Sequence, residues 1–207
     1  MESWYIIALT IGLIIVLLIG FLIWFYREPS YSKHTYVWSI PENGKYVDEP
    51  NILYAPSYGT VSNIVMDKDK DLTTVSIFLN VFDIHRQYCP CAGKIISTKY
   101  HLGQFNNAMY FEKSSDNESM ETIIQMNDKD KTQIVVKQIA GLLARVIELD
   151  ENIKENNQVE QGQYLGIIKF GSRVNITFPS SKYVLQMKEG SLVNGLDTKF
   201  AIRREIN

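Results

Sequence analysis

A mainly β domain of the α+β kind, carried behind one N-terminal transmembrane helix, is the fold that the sequence predicts. A single uncharged apolar run occupies residues 4–26. Beyond it come short apolar or alternating runs, rich in Val, Ile, Thr, Tyr and Phe and separated by turn residues. The balance of 21 Lys and Arg against 23 Asp and Glu is ordinary globular composition. It argues against a nucleic-acid partner, which would select a basic face or stripe.

The first element is the run Trp4–Tyr26, WYIIALTIGLIIVLLIGFLIWFY. As a helix it spans about 34 Å, enough for a hydrocarbon core of roughly 30 Å. Trp4, Tyr5, Trp24 and Tyr26 sit at its ends, as interfacial aromatic belts do. A cleaved signal peptide fits poorly, because there is no basic stretch before the run and no small-residue cleavage site after it. Glu2 precedes the span, and Arg27 and Lys33 follow it. The positive-inside rule therefore predicts a single-pass membrane protein with a cytosolic C-terminal domain. Residues 27–50, broken by Pro29, Pro41, Gly44 and Pro50, read as a juxtamembrane connector.

Residues 51–207 are of the length of one domain. Strands are expected at Thr60–Met66, Thr73–Leu79, Lys94–Thr98, Ala108–Phe111, Glu121–Met126 and Gln133–Ile139. Further strands are expected at Leu165–Lys169, Arg173–Phe178, Tyr183–Met187 and Lys199–Ile202. The charged runs at Asp67–Asp71 and Asn127–Lys131 read as hairpin tips; they lack the spaced ligands and closing Glu of a calcium loop. Ala140–Leu149 reads as a short amphipathic helix, Asp150–Gln161 as a polar loop, and Glu189–Gly195 as a hairpin with a tight turn. Cys89 and Cys91 are too close for an unstrained disulfide and have no companions for a structural zinc site, so a reducing compartment and no metal are expected.

No dinucleotide fingerprint, phosphate loop, HExxH or GxSxG is present. Two segments remain as candidates for chemistry. Phe170-Gly171-Ser172-Arg173 lies between two strand-like runs. Locally it reads as a turn, and equally as a self-cleavage site in which the Ser172 hydroxyl attacks the Gly171 carbonyl. Glycine suits that position because it tolerates unusual backbone angles. The second segment is Asp83-Ile84-His85-Arg86, where His85 ends a strand-like run. It reads as a hydrogen-bonded structural histidine or as a proton-transfer group near neutral pH.

Five ordered blocks resemble the phosphatidylserine decarboxylase family, in particular its short members, over roughly residues 54–204. Tyr54–Val61 resembles the family's first motif, and Phe78–His85 through Pro90 and Gly93 its histidine motif. Tyr100–Phe105 with Ala108, Gln138–Arg145 (QIAG-x-x-AR) and Gly162–Val174 (ending FGSRV) resemble the three that follow. There are departures. Tyr58 stands where the first motif carries the Asp tied to self-cleavage, and Tyr88 where many members carry a second His. Asn117-Glu118-Ser119 replaces Asn-Glu-Arg, and Val146 a second Arg.

The resemblance implies a membrane-anchored decarboxylase that converts phosphatidylserine to phosphatidylethanolamine and carbon dioxide. Its pyruvoyl group would derive from Ser172 after the chain cuts between 171 and 172. No metal is implied. Ser172, Gly171 and His85 are then the catalytic candidates, His85 as proton donor to the carbon that loses carbon dioxide. Asp83, Tyr58 and Tyr88 are candidates for the maturation or substrate site, and Asp83 could replace the missing Asp. The substrate is a phospholipid in the membrane, and a homo-oligomer is left open. Tyr58 and Tyr88 support an alternative: an uncleaved, inactive relative that binds lipid headgroups or a partner protein at the membrane.

Overall fold

The computed structural model describes residues 2–28, 49–142, 146–169 and 171–204. The expected connector at 27–50 therefore lies mostly outside the described residues. The first element, α1 (Glu2–Phe25), is one continuous helix, long and apolar enough to cross a membrane. Its apolar side chains from Trp4 onward are exposed almost throughout, until Phe25 at its end.

Fourteen strands follow among the described residues. They are β1 (Ile52–Tyr54), β2 (Gly59–Asp67), β3 (Leu72–Leu79), β4 (Arg86–Tyr88), β5 (Gly93–His101), β6 (Ser119–Gln125) and β7 (Gln133–Ile139). Then come β8 (Ile147–Leu149), β9 (Gln158–Val159), β10 (Tyr164–Ile168), β11 (Ser172–Pro179), β12 (Tyr183–Leu185), β13 (Leu192–Val193) and β14 (Lys199–Arg203). The fold is mainly β, as the alternating runs predict. An eight-stranded antiparallel sheet has the order β13-β2-β3-β11-β7-β6-β5-β9. Two three-stranded sheets, β4-β10-β8 and β1-β14-β12, complete the domain. Register shifts between Val61 and Asn63 in β2 and between Ile95 and Ser97 in β5 are places where bulges bend a sheet.

The core lies on one face of the large sheet, where alternate side chains meet. Val75, Ile77 and Leu79 of β3 join Val174, Ile176 and Phe178 of β11 and Ile134 and Val136 of β7. Each such side chain contributes about 1.5–3 kcal/mol when buried. Both charged runs are hairpin tips, as expected. Asp67 accepts the Lys70 N–H at 3.1 Å and Asp128 accepts the Thr132 N–H at 2.8 Å. Asp71 (φ 55°) and Lys131 (φ 51°) turn the chain back.

Three expected elements differ: the polar loop expected over Asp150–Gln161 contains β9, which pairs with the start of β5, and two more depart from expectation. Ala108–Phe111 is a turn, followed by one 3-10 turn at Glu112–Ser114. The Asn107 side chain accepts the Met109 N–H at 3.0 Å and the Asn107 carbonyl accepts the Tyr110 N–H at 3.2 Å, which curls the backbone. The helix expected over Ala140–Leu149 is not formed at its described ends. The Ala140 N–H is taken by the Glu118 carbonyl (2.9 Å), and Ile147–Leu149 pairs with β10 as β8. Ile147 and Leu149 alternate onto the core with Glu148 between them, a two-residue period that serves a strand. The Glu189–Gly195 segment resolves into a tight turn that lays β13 along the edge of β2.

The register also gathers three chain ends. Ser172, first residue of β11, lies opposite Leu79, last of β3; Arg173 lies opposite Ile139, last of β7. The loops after β3 and β7 therefore leave the sheet beside the point where β11 enters it.

Candidate active site

The loop after β3 is closed by its own polar residues. Asp83 accepts the Asn80 N–H through its carboxylate at 2.8 Å, and Asn80 accepts the Phe82 N–H through its side chain at 2.8 Å. This turn aims the Asp83 carbonyl at His85 Nδ1, 2.8 Å away. A carbonyl accepts only, so Nδ1 carries the proton and Nε2 keeps its lone pair. That lone pair meets the Gly171 N–H at 3.1 Å, joining positions 86 apart in the chain. Burial pushes the His85 imidazole down to about 4, against the Asp83 carbonyl and with help from the Arg27 charge. His85 is therefore neutral at pH 7, a proton acceptor rather than a donor. Its carbonyl accepts the Gln87 side-chain amide at 2.7 Å, and Gln87 accepts that of Gln138 at 2.8 Å, so β4 and β7 both fix the histidine.

Gly171 has a φ of +52°, a left-handed conformation that suits glycine. Its carbonyl packs against Gly141, where any Cβ would collide with that oxygen. Ser172 is fully buried, and its hydroxyl has no hydrogen-bond partner among the described residues. Lacking such a partner, a buried hydroxyl forgoes about 1–3 kcal/mol of compensation. Arg173 is buried as well. Nη1 donates to Ser114 Oγ at 2.7 Å and the Ala108 carbonyl at 3.3 Å, and the guanidinium lies 4.9 Å from the centre of the Phe111 ring. Burial lowers its pKa to about 10, so it stays charged at pH 7 and ties loop 107–114 to β11.

The side chains of Asp83, Tyr58 and Tyr88 have contacts of their own. The Asp83 carboxylate is engaged with Asn80, and it is the carbonyl that reaches His85. Burial raises the Asp83 carboxyl above its ordinary value. Tyr58 precedes β2, with β3 between it and the strand of Ser172; its ring lies against Gly195. Tyr88 sits in β4 opposite Tyr164, their rings 6.2 Å apart and edge-on. The structure thus brings together His85, Gly171 and Ser172, with Asp83 acting through its backbone. Gln87, Gln138, Gly141 and Arg173 were given no role by sequence reasoning. All four lie inside the blocks that carry the family resemblance.

Phe78, Asn107, Ala108, Leu142 and Gly171 line an apolar cavity of about 170 Å³ beside this cluster. Among the described residues no group of three or more His, Cys, Asp or Glu is placed to hold a metal ion.

Residues 33–198 match the phosphatidylserine decarboxylase family. Among curated relatives, the phosphatidylserine decarboxylase proenzyme of Ehrlichia chaffeensis is 31% identical over 91% of this chain and 79% of its own length. That of Wolbachia pipientis is 35% identical over 86% of this chain and 74% of its own length. That of Pelagibacter ubique is 30% identical over 91% of this chain and 83% of its own length. With the family match spanning residues 33–198 and relatives 31% and 35% identical over most of both chains, the chain belongs to the phosphatidylserine decarboxylase family.

Proposed function

We propose that this chain is a proenzyme that cuts itself between Gly171 and Ser172 and then decarboxylates phosphatidylserine in the membrane that holds α1. The observation that carries the reading is the His85 Nε2 contact at 3.1 Å to the Gly171 N–H, beside a buried serine hydroxyl with no partner. The names of the relatives, all proenzymes of this activity, support it.

In the cutting step the Ser172 hydroxyl attacks the Gly171 carbonyl carbon, and its proton passes to neutral His85 as Nε2 releases the Gly171 N–H. The bond from that carbon to the Ser172 nitrogen breaks, and the nitrogen is protonated. Loss of the Ser172 Cα proton then expels Gly171 as a carboxylate. The dehydrated residue takes up water and releases ammonia. Glycine at 171 leaves the carbonyl open to attack, and Gly141 leaves room for its oxygen. The residues thus fit a pyruvoyl group made from Ser172. Such a group supplies the electron sink that decarboxylation of an amino acid headgroup requires.

His85 changes role with the cut. Before it, the buried imidazole is neutral and accepts a proton. Afterwards a carboxylate stands at Gly171, and an anion there favours the protonated ring. That form can return a proton to the headgroup carbon once carbon dioxide has left, at about 10²–10⁴-fold benefit to rate.

Membrane anchorage rests on α1 and on the exposed apolar side chains Phe82 and Leu142, one beside the helix end and one on the cavity wall. The lipid then stays in the bilayer while its headgroup reaches the site. Arg27 at the C-terminal end of the span supports a cytosolic domain. Full-length protein in vesicles of phosphatidylcholine with carboxyl-labelled phosphatidylserine should release labelled carbon dioxide and form phosphatidylethanolamine. Ser172→Ala should release none. Release by that variant, or none from fully cut wild type, would contradict the reading.

A further inference from the structure

The end of α1 grips the histidine loop. Phe25 is 1% exposed, and it is the one α1 side chain among the described residues that the domain buries. Its ring centre lies 4.5 Å from that of His85, tilted by 35°. On one side Trp24 meets Phe82 edge-on at 6.0 Å, and Arg27 donates to the Phe82 carbonyl at 3.0 Å. On the other, Glu28 pairs with Arg86 at 3.2 Å. These contacts bracket His85, two from the residues before it and one from the residue after.

We propose that the last turn of α1 is a wall of the catalytic site, with Phe25 a positioning residue that holds the His85 imidazole against the Gly171 N–H and keeps water from it. This rests on the reading of His85 as the base of self-cleavage. Ring contact on one face and two hydrogen bonds at the edge leave the imidazole little freedom. The apolar cover is also what keeps the ring neutral. Among the described residues, the charged or titratable groups around this loop include Arg27 and Glu28 from α1, Asp83 from the loop and Arg86 at the start of β4. They also include Lys169, paired with Glu148, next to the Ile168 that donates to the His85 carbonyl. Arg27 disfavours protonation of His85. A membrane helix built into the site would couple its seating in the bilayer to the competence of the catalytic centre.

The test is the rate of chain cutting against pH, read on gels with the full-length protein in phosphatidylcholine–phosphatidylserine vesicles. Wild type should be flat from pH 5.5 to 8. Phe25→Ala should cut roughly 10- to 100-fold more slowly at pH 7, the scale of a small misplacement. Its rate should also fall about tenfold further by pH 5.5, as an uncovered imidazole returns toward its ordinary value near 6.5. Phe25→Leu, which keeps the apolar cover, should restore the flat profile. Ile15→Ala on the exposed face of α1 should behave as wild type. If Phe25→Ala is not recovered folded, Phe25→Val should show the same fall at acid pH to a smaller degree. Flat, wild-type rates in the Ala variant, or in Val where Ala fails, overturn the proposal. His85→Gln separates the two readings. If it cuts normally, the base assignment itself is wrong; if it does not cut while Phe25→Ala does so normally, only the role of Phe25 is lost.

Discussion

Both nitrogens of His85 are committed, one to the Asp83 carbonyl and one to the Gly171 N–H. That commitment fixes the tautomer and sets the lone pair on the N–H of Gly171, one peptide before the bond of the proposed cut. His85, Gly171 and Ser172 were legible as candidates from the blocks that resemble the family. Their meeting was not, because a loop after β3 and the entry to β11 are brought together only by the pairing of the strands. Gly141 was illegible for another reason. Its contribution is the absence of a Cβ, and within the QIAG segment it looks like any turn glycine. Gly141→Ala places a methyl group against the Gly171 carbonyl oxygen. Cutting should slow by about 100-fold or more as the peptide is displaced, in a gel time course at pH 7. Wild-type cutting in this variant would show that the carbonyl is not held there.

Strand β11 carries the site at one end and the core along its length. Its burial alternates, with Val174, Ile176 and Phe178 on the core face, and β3 and β7 pair with it on either side. Long strands of this kind were legible from alternation. The two- and three-residue strands β1, β4, β9 and β13 were not, since so few residues show no period. Strand β8 was misread because Ala140–Leu149 carries apolar residues at both helical and strand spacings, and its pairing with β10 decides between them. Ile176→Ala in the centre of β11 should destabilise the domain by about 2–5 kcal/mol, measured by thermal unfolding in a Ser172→Ala background that keeps one chain. A loss well under 1 kcal/mol would mean that the strand does not carry the core.

At the scale of the whole molecule, the long apolar helix and the β domain meet at the loop that carries His85. The helix was plain from its uncharged run, and its end aromatics read as an interfacial belt. That Phe25 instead turns into the domain was not legible, because an aromatic at a membrane boundary serves either purpose. Exposed apolar residues beside the helix end and on the cavity wall fit the proposal that the site faces a bilayer, where a lipid headgroup is found. The replaced Asp and second His of the family pattern fall at Tyr58 and Tyr88. The described contacts place Tyr58 against Gly195 and Tyr88 beside Tyr164.

Intact-mass measurement of the purified full-length chain tests self-cleavage between Gly171 and Ser172 most directly. After incubation with phospholipid membranes, wild type should appear as two pieces, one ending at Gly171 and one of 36 residues from position 172 to 207, the second with a ketone in place of its amino terminus. Ser172→Ala should remain whole. A wild-type chain that stays uncut would contradict self-cleavage and favour a lipid- or partner-binding relative.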